Sequence, residues 1–480
     1  MLRPLLLALL AGASVAQDRA PNVLFLAIDD LRPELACYGV PDARTPNLDR
    51  LAAEGVRFTQ HYVQVPTCGA SRYALLTGRS PAHSRALGNG ALYNGRTAID
   101  AVQHPGAQTL PELFRRSGYR TILIGKISHT ADGRVFAYNG RGDGRMEVPH
   151  AWDELRTPFG AWGRGWGVFF AYEGGRHRED GQGNRDLWEF VAEEDDELPD
   201  GLMASEAVNV LREVANSSQP FFLGLGFFKP HLPFVATRGD WEAMQDVEIV
   251  PPAHPERPDS NYWHNSGEFY KYAAEHEKTR PLALEARIES RRAYLACVRY
   301  VDRQVGRVLD ALDELGLSEN TVVVVWGDHG WHLGESALWG KHALYDRALN
   351  SALIVRAPGV SRAGASCDAL VETTDLFPTL LELCEPRLRE TRYPLDGVSL
   401  VPLLNGEAEA VREVALSYQR GDVTVRSPSH RLVARRGEQG PTSIELYSAS
   451  AGPDPTENLA ESEPERVRAL LERVPAGWWE

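Results

Sequence analysis

The sequence predicts an α/β fold, with a large, mainly parallel sheet between helices and a smaller carboxyl-terminal antiparallel sheet. Three observations carry this expectation. Asn22–Ile28 (NVLFLAI), Phe221–Phe228 and Thr321–Trp326 (TVVVVW) are unbroken apolar runs of strand length, as in strands covered on both faces. Helical stretches alternate with them, the longest over Leu284–Leu315. After about Leu395 the texture changes to short segments separated by turn residues: Val414–Tyr418, Val423–Arg426, Arg431–Arg435 and Ile444–Tyr447.

In chain order, MLRPLLLALLAGASVAQ places Arg3 before a short apolar run, with small residues at Ser14 and Ala16. Residues 1–16 therefore read as a secretory signal peptide, and the mature chain as periplasmic or secreted. No later stretch is long and apolar enough for a transmembrane helix. Pro46–Glu54 reads as a helix with Thr45 as its N-cap and Pro46 at its first position. Leu110–Ser117 is a second helix, closed by Gly118, and Thr121–Ile124 a short buried strand. Arg134–Pro199 is rich in glycine, tryptophan and charge and has little periodicity, as in a long excursion over the sheet. A last helix is expected near Glu465–Arg473. Residues 17–394 read as the catalytic domain and 395–480 as a small antiparallel-sheet subdomain.

The 480 residues contain 43% hydrophobic and 24% charged residues, which speaks against disorder. A formal net charge of −15 argues against a nucleic-acid partner, although a pocket can still be locally basic. The five cysteines form no CxxC pair and are too sparse for a disulfide scaffold or a zinc cluster. Pairing of Cys367 with Cys384 stays open. Asn216-Ser217-Ser218 is a glycosylation acceptor if the chain follows a eukaryotic secretory route.

Open parallel sheets carry their sites at the carboxyl ends of the strands. The first strand ends in Asp29-Asp30, and the Thr321–Trp326 strand ends in Gly327-Asp328-His329. Adjacent buried carboxylates repel unless a cation lies between them, and three Asp plus a His suit calcium or magnesium. Cys68 stands just before a helix start, where an anion is favoured, whether a thiolate or a bound sulfate or phosphate. Arg72 can pair with that anion or hold the metal-side carboxylates. Three basic clusters follow strand ends: Lys126 with His129, Lys229 with His231, and Lys341 with His342. Together they suggest a pocket for a tetrahedral oxyanion.

The stretch Cys68-Gly69-Ala70-Ser71-Arg72, followed by Leu76-Thr77-Gly78-Arg79, resembles the signature of type I sulfatases of the alkaline-phosphatase-like superfamily. The resemblance extends from Asn22 to the ELYSASAGPDPTENLA stretch. It implies that a maturation enzyme oxidises Cys68 to formylglycine, whose hydrate is a gem-diol. Most members have Pro where this chain has Ala70, a tolerated variant. By the same resemblance, Asp29, Asp30, Asp328, His329 and matured Cys68 hold calcium, or less typically magnesium. Lys126, Lys341 and Arg72 would offset charge on the sulfate oxygens. His231 would be the acid for the leaving alcohol, and His129 the base that removes a proton from the second hydroxyl of the sulfated intermediate. His329, where many arylsulfatases have Asn, and Lys229-Pro230-His231 are similar to the iduronate-2-sulfatase branch.

That branch and the export signal point to a sulfated sugar or polysaccharide as substrate. In the excursion, Trp152, Trp162 and Trp166 with Arg156, Arg164 and Arg176 either offer faces and cations to a sugar or simply pack the excursion on the sheet. Choline or aryl sulfates, for which a small enclosed pocket is expected, and phosphonate or phosphate esters are rival substrates on the same fold. A non-catalytic sulfated-glycan binder is the rival of another class, and would have no need of Cys68, His129 and His231 together.

Overall fold

The computed structural model describes residues 20–438, 440–454 and 457–480; the proposed signal peptide lies outside them. Strand β1 (Asn22–Ile28) is buried at every position, and its side chains alternate between two apolar clusters. Leu24, Leu26 and Ile28 enter one, Val23, Phe25 and Ala27 the other. A run that is apolar at all six positions after Asn22 is what a strand with helices on both faces requires.

Strands β2 (Val56–Tyr62), β3 (Arg120–Gly125), β4 (Glu154–Leu155), β5 (Phe221–Phe227), β6 (Thr321–Gly327), β7 (Leu353–Arg356) and β8 (Ala365–Glu372) complete the sheet. Its order is β8-β2-β7-β6-β1-β5-β3-β4. All neighbouring pairs are parallel except the two made by β7. The mainly parallel sheet is therefore as the sequence predicts, with β7 inserted against the grain. That strand, β2 and β8 were not legible as strands, being short or interrupted by polar residues.

Helices α1 (Pro46–Glu54), α4 (Pro199–Val214) and α5 (Leu284–Glu314) cover the first cluster. Helices α2 (Cys68–Thr77), α3 (Leu110–Arg116) and α6 (Leu376–Cys384) cover the second. Thr45 does precede α1, but its hydroxyl accepts from Ala36 N and caps nothing. The acceptor for the first turn is Asp302 of α5, bonded to the amides of Asn47 (3.2 Å) and Leu48 (2.8 Å).

The carboxyl-terminal strands β9 (Ala415–Gln419), β10 (Asp422–Arg426), β11 (His430–Gly437) and β12 (Gly440–Ser448) form an antiparallel sheet in sequential order. Helix α7 (Pro464–Leu471) follows, and Leu470 joins its apolar cluster. Cys367 and Cys384 are not joined; all five cysteines are free. Among the described residues no helix is long and apolar enough to cross a membrane.

Candidate active site

Strands β3, β5, β1 and β6 are parallel neighbours, so their carboxyl ends open into one place. The ladder continues briefly past the strand ends. Asp29 N bonds Phe227 O, Asp328 N bonds Ile28 O, and Lys126 N bonds Gly226 O. This registers Asp29, Asp328 and Lys126 side by side. Asp30 takes a left-handed backbone (φ 61°), a strained conformation for a non-glycine residue. Its amide donates to Asp328 Oδ1 (3.0 Å), and the Tyr294 hydroxyl donates to its carbonyl (2.8 Å), which together hold the turn.

Helix α2 enters the same place with Cys68 at its first position, where unpaired amides and the helix dipole favour negative charge. Gly69 must be glycine. A Cβ there would lie 2.1 Å from the Asn89 carbonyl oxygen, and the Gly69 amide already bonds Asn89 Oδ1 at 3.0 Å. Gly69→Ala is expected to cost about 2 kcal/mol of stability and to displace Asn89 from the cavity wall. Melting temperature and turnover measured together test this; an unchanged pair would show that the contact yields.

Around Cys68 Sγ lie His329 Nε2 at 3.3 Å, Lys341 Nζ at 3.4 Å and Asp29 Oδ1 at 3.6 Å. His329 Nδ1 faces the Gly330 carbonyl (3.0 Å), which turns Nε2 toward the site. Lys126 Nζ bonds Asp29, and Lys341 Nζ bonds Asp30 Oδ1 at 2.9 Å. Arg72 is fully buried, with Nε on Asp328 Oδ2 at 2.9 Å and Asp29 Oδ2 3.7 Å from its other end. Its Nη1 donates to the carbonyls of Lys126 and Ile127, and Nη2 has no hydrogen-bond partner among the described residues. Of the two roles open to Arg72, the geometry favours holding the carboxylates.

The ligand atoms of Asp29, Cys68, Asp328 and His329 lie within 4.8 Å of one another, as do those of Asp29, Asp30, Cys68 and His231. Burial works to raise Asp29, but Lys126 foremost, with His231 and Arg72, holds it well below the usual carboxylate range. Asp30 goes the other way: burial pushes it well above that range, against the opposing charges of Lys341 and His329. Three carboxylates and one imidazole converging with Cys68 in a buried space form an oxygen-rich donor set that fits a divalent cation. This is a possible buried metal site. Burial, then the charge of Asp29, pushes the Cys68 thiol up to about 12, so an unmodified thiol would stay protonated at neutral pH and be a poor nucleophile.

Of these groups, Cys68, Lys126 and Lys341 line a cavity of about 150 Å³, with the carboxylates beneath them. His129 and His231 both reach it. The His129 and Thr130 amides donate to Glu147 (3.0 and 2.7 Å), a buried carboxylate that shapes this loop. Burial, then Lys126, pushes His129 well below the usual imidazole range, and its Nδ1 has no hydrogen-bond partner. Burial, then Lys341, pushes His231 down to about 4, with Glu268 pulling against them. Lys229 departs from the expected oxyanion pocket. Its ammonium turns inward onto the carbonyls of His231 (3.0 Å) and Pro233 (2.6 Å), so it shapes the His231 loop and does not line this cavity. A larger cavity of about 790 Å³, walled in part by Tyr38, Tyr62 and Arg426, contains none of these residues. Chemistry, not size, locates the site.

The excursion's tryptophans are mostly core. Trp152 packs on Phe222, and Trp162 Nε1 bonds the Tyr172 carbonyl at 2.6 Å. Trp166 alone of the three reaches the cavity, beside His129. Arg156 is held by Glu154, Glu206 and Glu213, Arg176 by Glu189, and Arg164 lies over Phe159. None of the three lines the cavity, so the expected Arg-bearing cleft is not formed there. Instead Tyr138, Trp166, Phe169 and Phe170 supply an aromatic wall, with Asn89, Glu268 and Lys271 as polar neighbours. Asn89, Tyr138, Glu268 and Lys271 were not singled out from the sequence. They lie in stretches without periodicity or motif, so no local signal marks them.

A mainly parallel sheet covered by helices, with this carboxylate and helix-terminus constellation at its carboxyl end, defines an alkaline-phosphatase-like hydrolase. A phosphonate monoester hydrolase from Silicibacter pomeroyi has the same fold, with a TM-score of 0.74 at 24% identity over 94% of this chain and 93% of that one. The sulfatase family profile matches residues 21–385, and the chain belongs to the sulfatase family. A sulfatase of Formosa agariphila is 31% identical, over 95% of this chain and 87% of that protein. Human iduronate 2-sulfatase is 30% identical, over 81% and 69%.

Proposed function

We propose that this protein hydrolyses a sulfuric ester of a carbohydrate, with Cys68, matured to formylglycine, as the nucleophilic residue. The observation that carries the reading is Cys68 buried at a helix amino terminus, within 3.6 Å of His329, Lys341 and Asp29. Calcium held by Asp29, Asp30, Asp328, His329 and the matured Cys68 would supply Lewis acidity, polarising the sulfate and lowering the pKa of the attacking hydroxyl. Lys126 and Lys341 bind the sulfate oxygens and offset the charge that builds on them. Arg72 keeps Asp29 and Asp328 in register. His129, held neutral by burial, accepts a proton through its unpaired Nδ1, and His231 gives one to the leaving alcohol.

A sugar suits the wall, because Tyr138 is 48% exposed and offers a ring face while Asn89 and Lys271 offer polar contacts. The relationship to iduronate 2-sulfatase points the same way. With about 150 Å³ and no arginines at the wall, the cavity suits a single terminal residue better than the middle of a polysaccharide. The same enclosure favours a second reading, a small aryl or quaternary-ammonium sulfate seated against Tyr138, Trp166 and Phe170. Export to the periplasm or beyond, modification by a formylglycine-generating enzyme, and a catalytic domain over residues 17–394 with a subdomain over 395–480 belong to the same proposal.

Peptide mass spectrometry across Pro66–Arg79 is paired with turnover of sulfated monosaccharides, choline sulfate, aryl sulfates and the matching phosphate and phosphonate esters. An aldehyde or hydrate at Cys68 and release of sulfate from sugars are the expected results. Preferred release of phosphate would overturn the sulfatase reading. Preferred turnover of choline or aryl sulfate would replace the sugar.

A further inference from the structure

A second polar cleft lies away from Cys68. Its walls come from the carboxyl end of α2 with Arg79, the 96–108 loop and the 391–393 segment, and it measures about 460 Å³. It shares no lining residue with the Cys68 cavity. Cys68 and Thr77 stand at opposite ends of α2, so about 14 Å of helix separates the two places.

The walls are tied to one another. Thr391 bridges to Ala107, and the Arg392 amide donates to the Ala107 carbonyl at 2.7 Å. The Gln108 side chain accepts from the Asp100 amide (3.0 Å) and donates to the Asp100 carbonyl (2.9 Å), which fixes the facing loop. A ligand therefore meets a site whose backbone is already set.

Charge here runs against that of the whole chain. Arg79, Arg96 and Arg392 line the cleft, in a protein of formal net charge −15. Asp100 is the carboxylate of the lining, and it is bonded to His104 Nε2 at 2.8 Å and to the Val102 amide at 2.9 Å. None of the three guanidiniums forms an ion pair among the described residues. Arg79 donates to the His83 carbonyl at 3.3 Å, whereas Arg96 and Arg392 are exposed and make no side-chain hydrogen bond among the described residues. The Arg79 guanidinium lies 4.1 Å from the centre of the Tyr393 ring, and that of Arg392 5.5 Å. One ring thus gathers two cations within about 10 Å of each other, a distance comparable with the screening length of salt water. Their mutual repulsion is what a bound polyanion would offset, and guanidinium forks match the oxygens of sulfate.

We propose that this cleft is a second ligand site, which binds a sulfated oligosaccharide through Arg79, Arg96 and Arg392. The sulfated-sugar identity rests on the sulfatase reading above; the negative charge of the ligand rests on the cleft alone. With about three times the volume of the Cys68 cavity, the cleft has room for more than one oxyanion.

The test uses the full chain carrying Arg96→Gln and Arg392→Gln together. Both residues are exposed and lie outside the catalytic machinery, so melting temperature and turnover of 4-nitrophenyl sulfate should match wild type. With a heparin hexasaccharide, hydrogen exchange should show protection of residues 96–108 and 391–393 in wild type and none in the double variant. Calorimetric affinity for the same hexasaccharide is expected to fall about tenfold or more in the variant. Absence of protection in wild type, or equal protection by uncharged maltohexaose, overturns the proposal. Sodium sulfate protecting these segments as well as the hexasaccharide does overturns the oligosaccharide assignment. If wild-type protein hydrolyses no sulfate ester, the sulfatase reading fails by itself. Protection by the hexasaccharide that is lost in the double variant still supports the site.

Discussion

Cys68→Ala is expected to abolish sulfate release, with a loss on the order of 10⁴-fold or more, while leaving the protein folded. Cys68 is 3% exposed and makes no disulfide, so the change removes one buried sulfur and leaves a small void. The stability cost should stay near about 1–2 kcal/mol. Cys68→Ser is expected to be inactive as well, although it restores a hydroxyl, because a single hydroxyl cannot do the work of a gem-diol. Sulfate release and thermal melting, measured on both variants, check the claim. Turnover surviving in either variant would mean that the nucleophile is another group, and the role given to the helix amino terminus would fall with it.

The second large effect is expected at Asp328. Its side chain accepts from Arg72 Nε and from the Asp30 amide, and its backbone carbonyl accepts from Ser71. Asp328→Ala would remove a proposed calcium ligand and leave the buried Arg72 guanidinium with only the more distant Asp29, 3.7 Å away, as a carboxylate partner. Unpairing a buried charge costs about 3–5 kcal/mol, well beyond the loss of one metal contact. The variant should therefore melt below wild type even when both are measured in chelator. Chelator alone, with Arg72 still paired, should lower wild-type stability by less while stopping turnover. Calcium titration of melting temperature, with and without chelator, reads both arms. Equal melting of variant and chelated wild type would show that Asp328 matters only as a ligand.

The core of the sheet was legible because β1, β5 and β6 are apolar at nearly every position, and burial on two faces leaves no polar alternation to confuse the reading. Strands β2 and β8 hid because half-buried positions interrupt them, and β4 because two residues carry no period. The candidate residues Cys68, Arg72, Lys126, His129, His231 and Lys341, with Asp29, Asp30, Asp328 and His329, could be picked out because each lies close behind a strand run or inside a short motif. The tryptophans misled in part. Aromatic side chains serve cores and sugar sites alike, and composition cannot separate the two.

The sequence by itself determined which residue types stand at the carboxyl ends of the parallel strands, since strand ends and their cargo are read from a local pattern of apolar runs stopped by charge. It also set Gly69 and Cys68 at a helix start. Tertiary structure alone decided which charges meet. It paired Arg72 with Asp328 across 256 residues, turned Lys229 away from the cavity, and brought Glu268 against His231. Local periodicity carries no information about contacts between distant segments. Those contacts follow from strand order and loop packing, where desolvation and hydrogen-bond satisfaction, rather than sequence neighbours, select the partner.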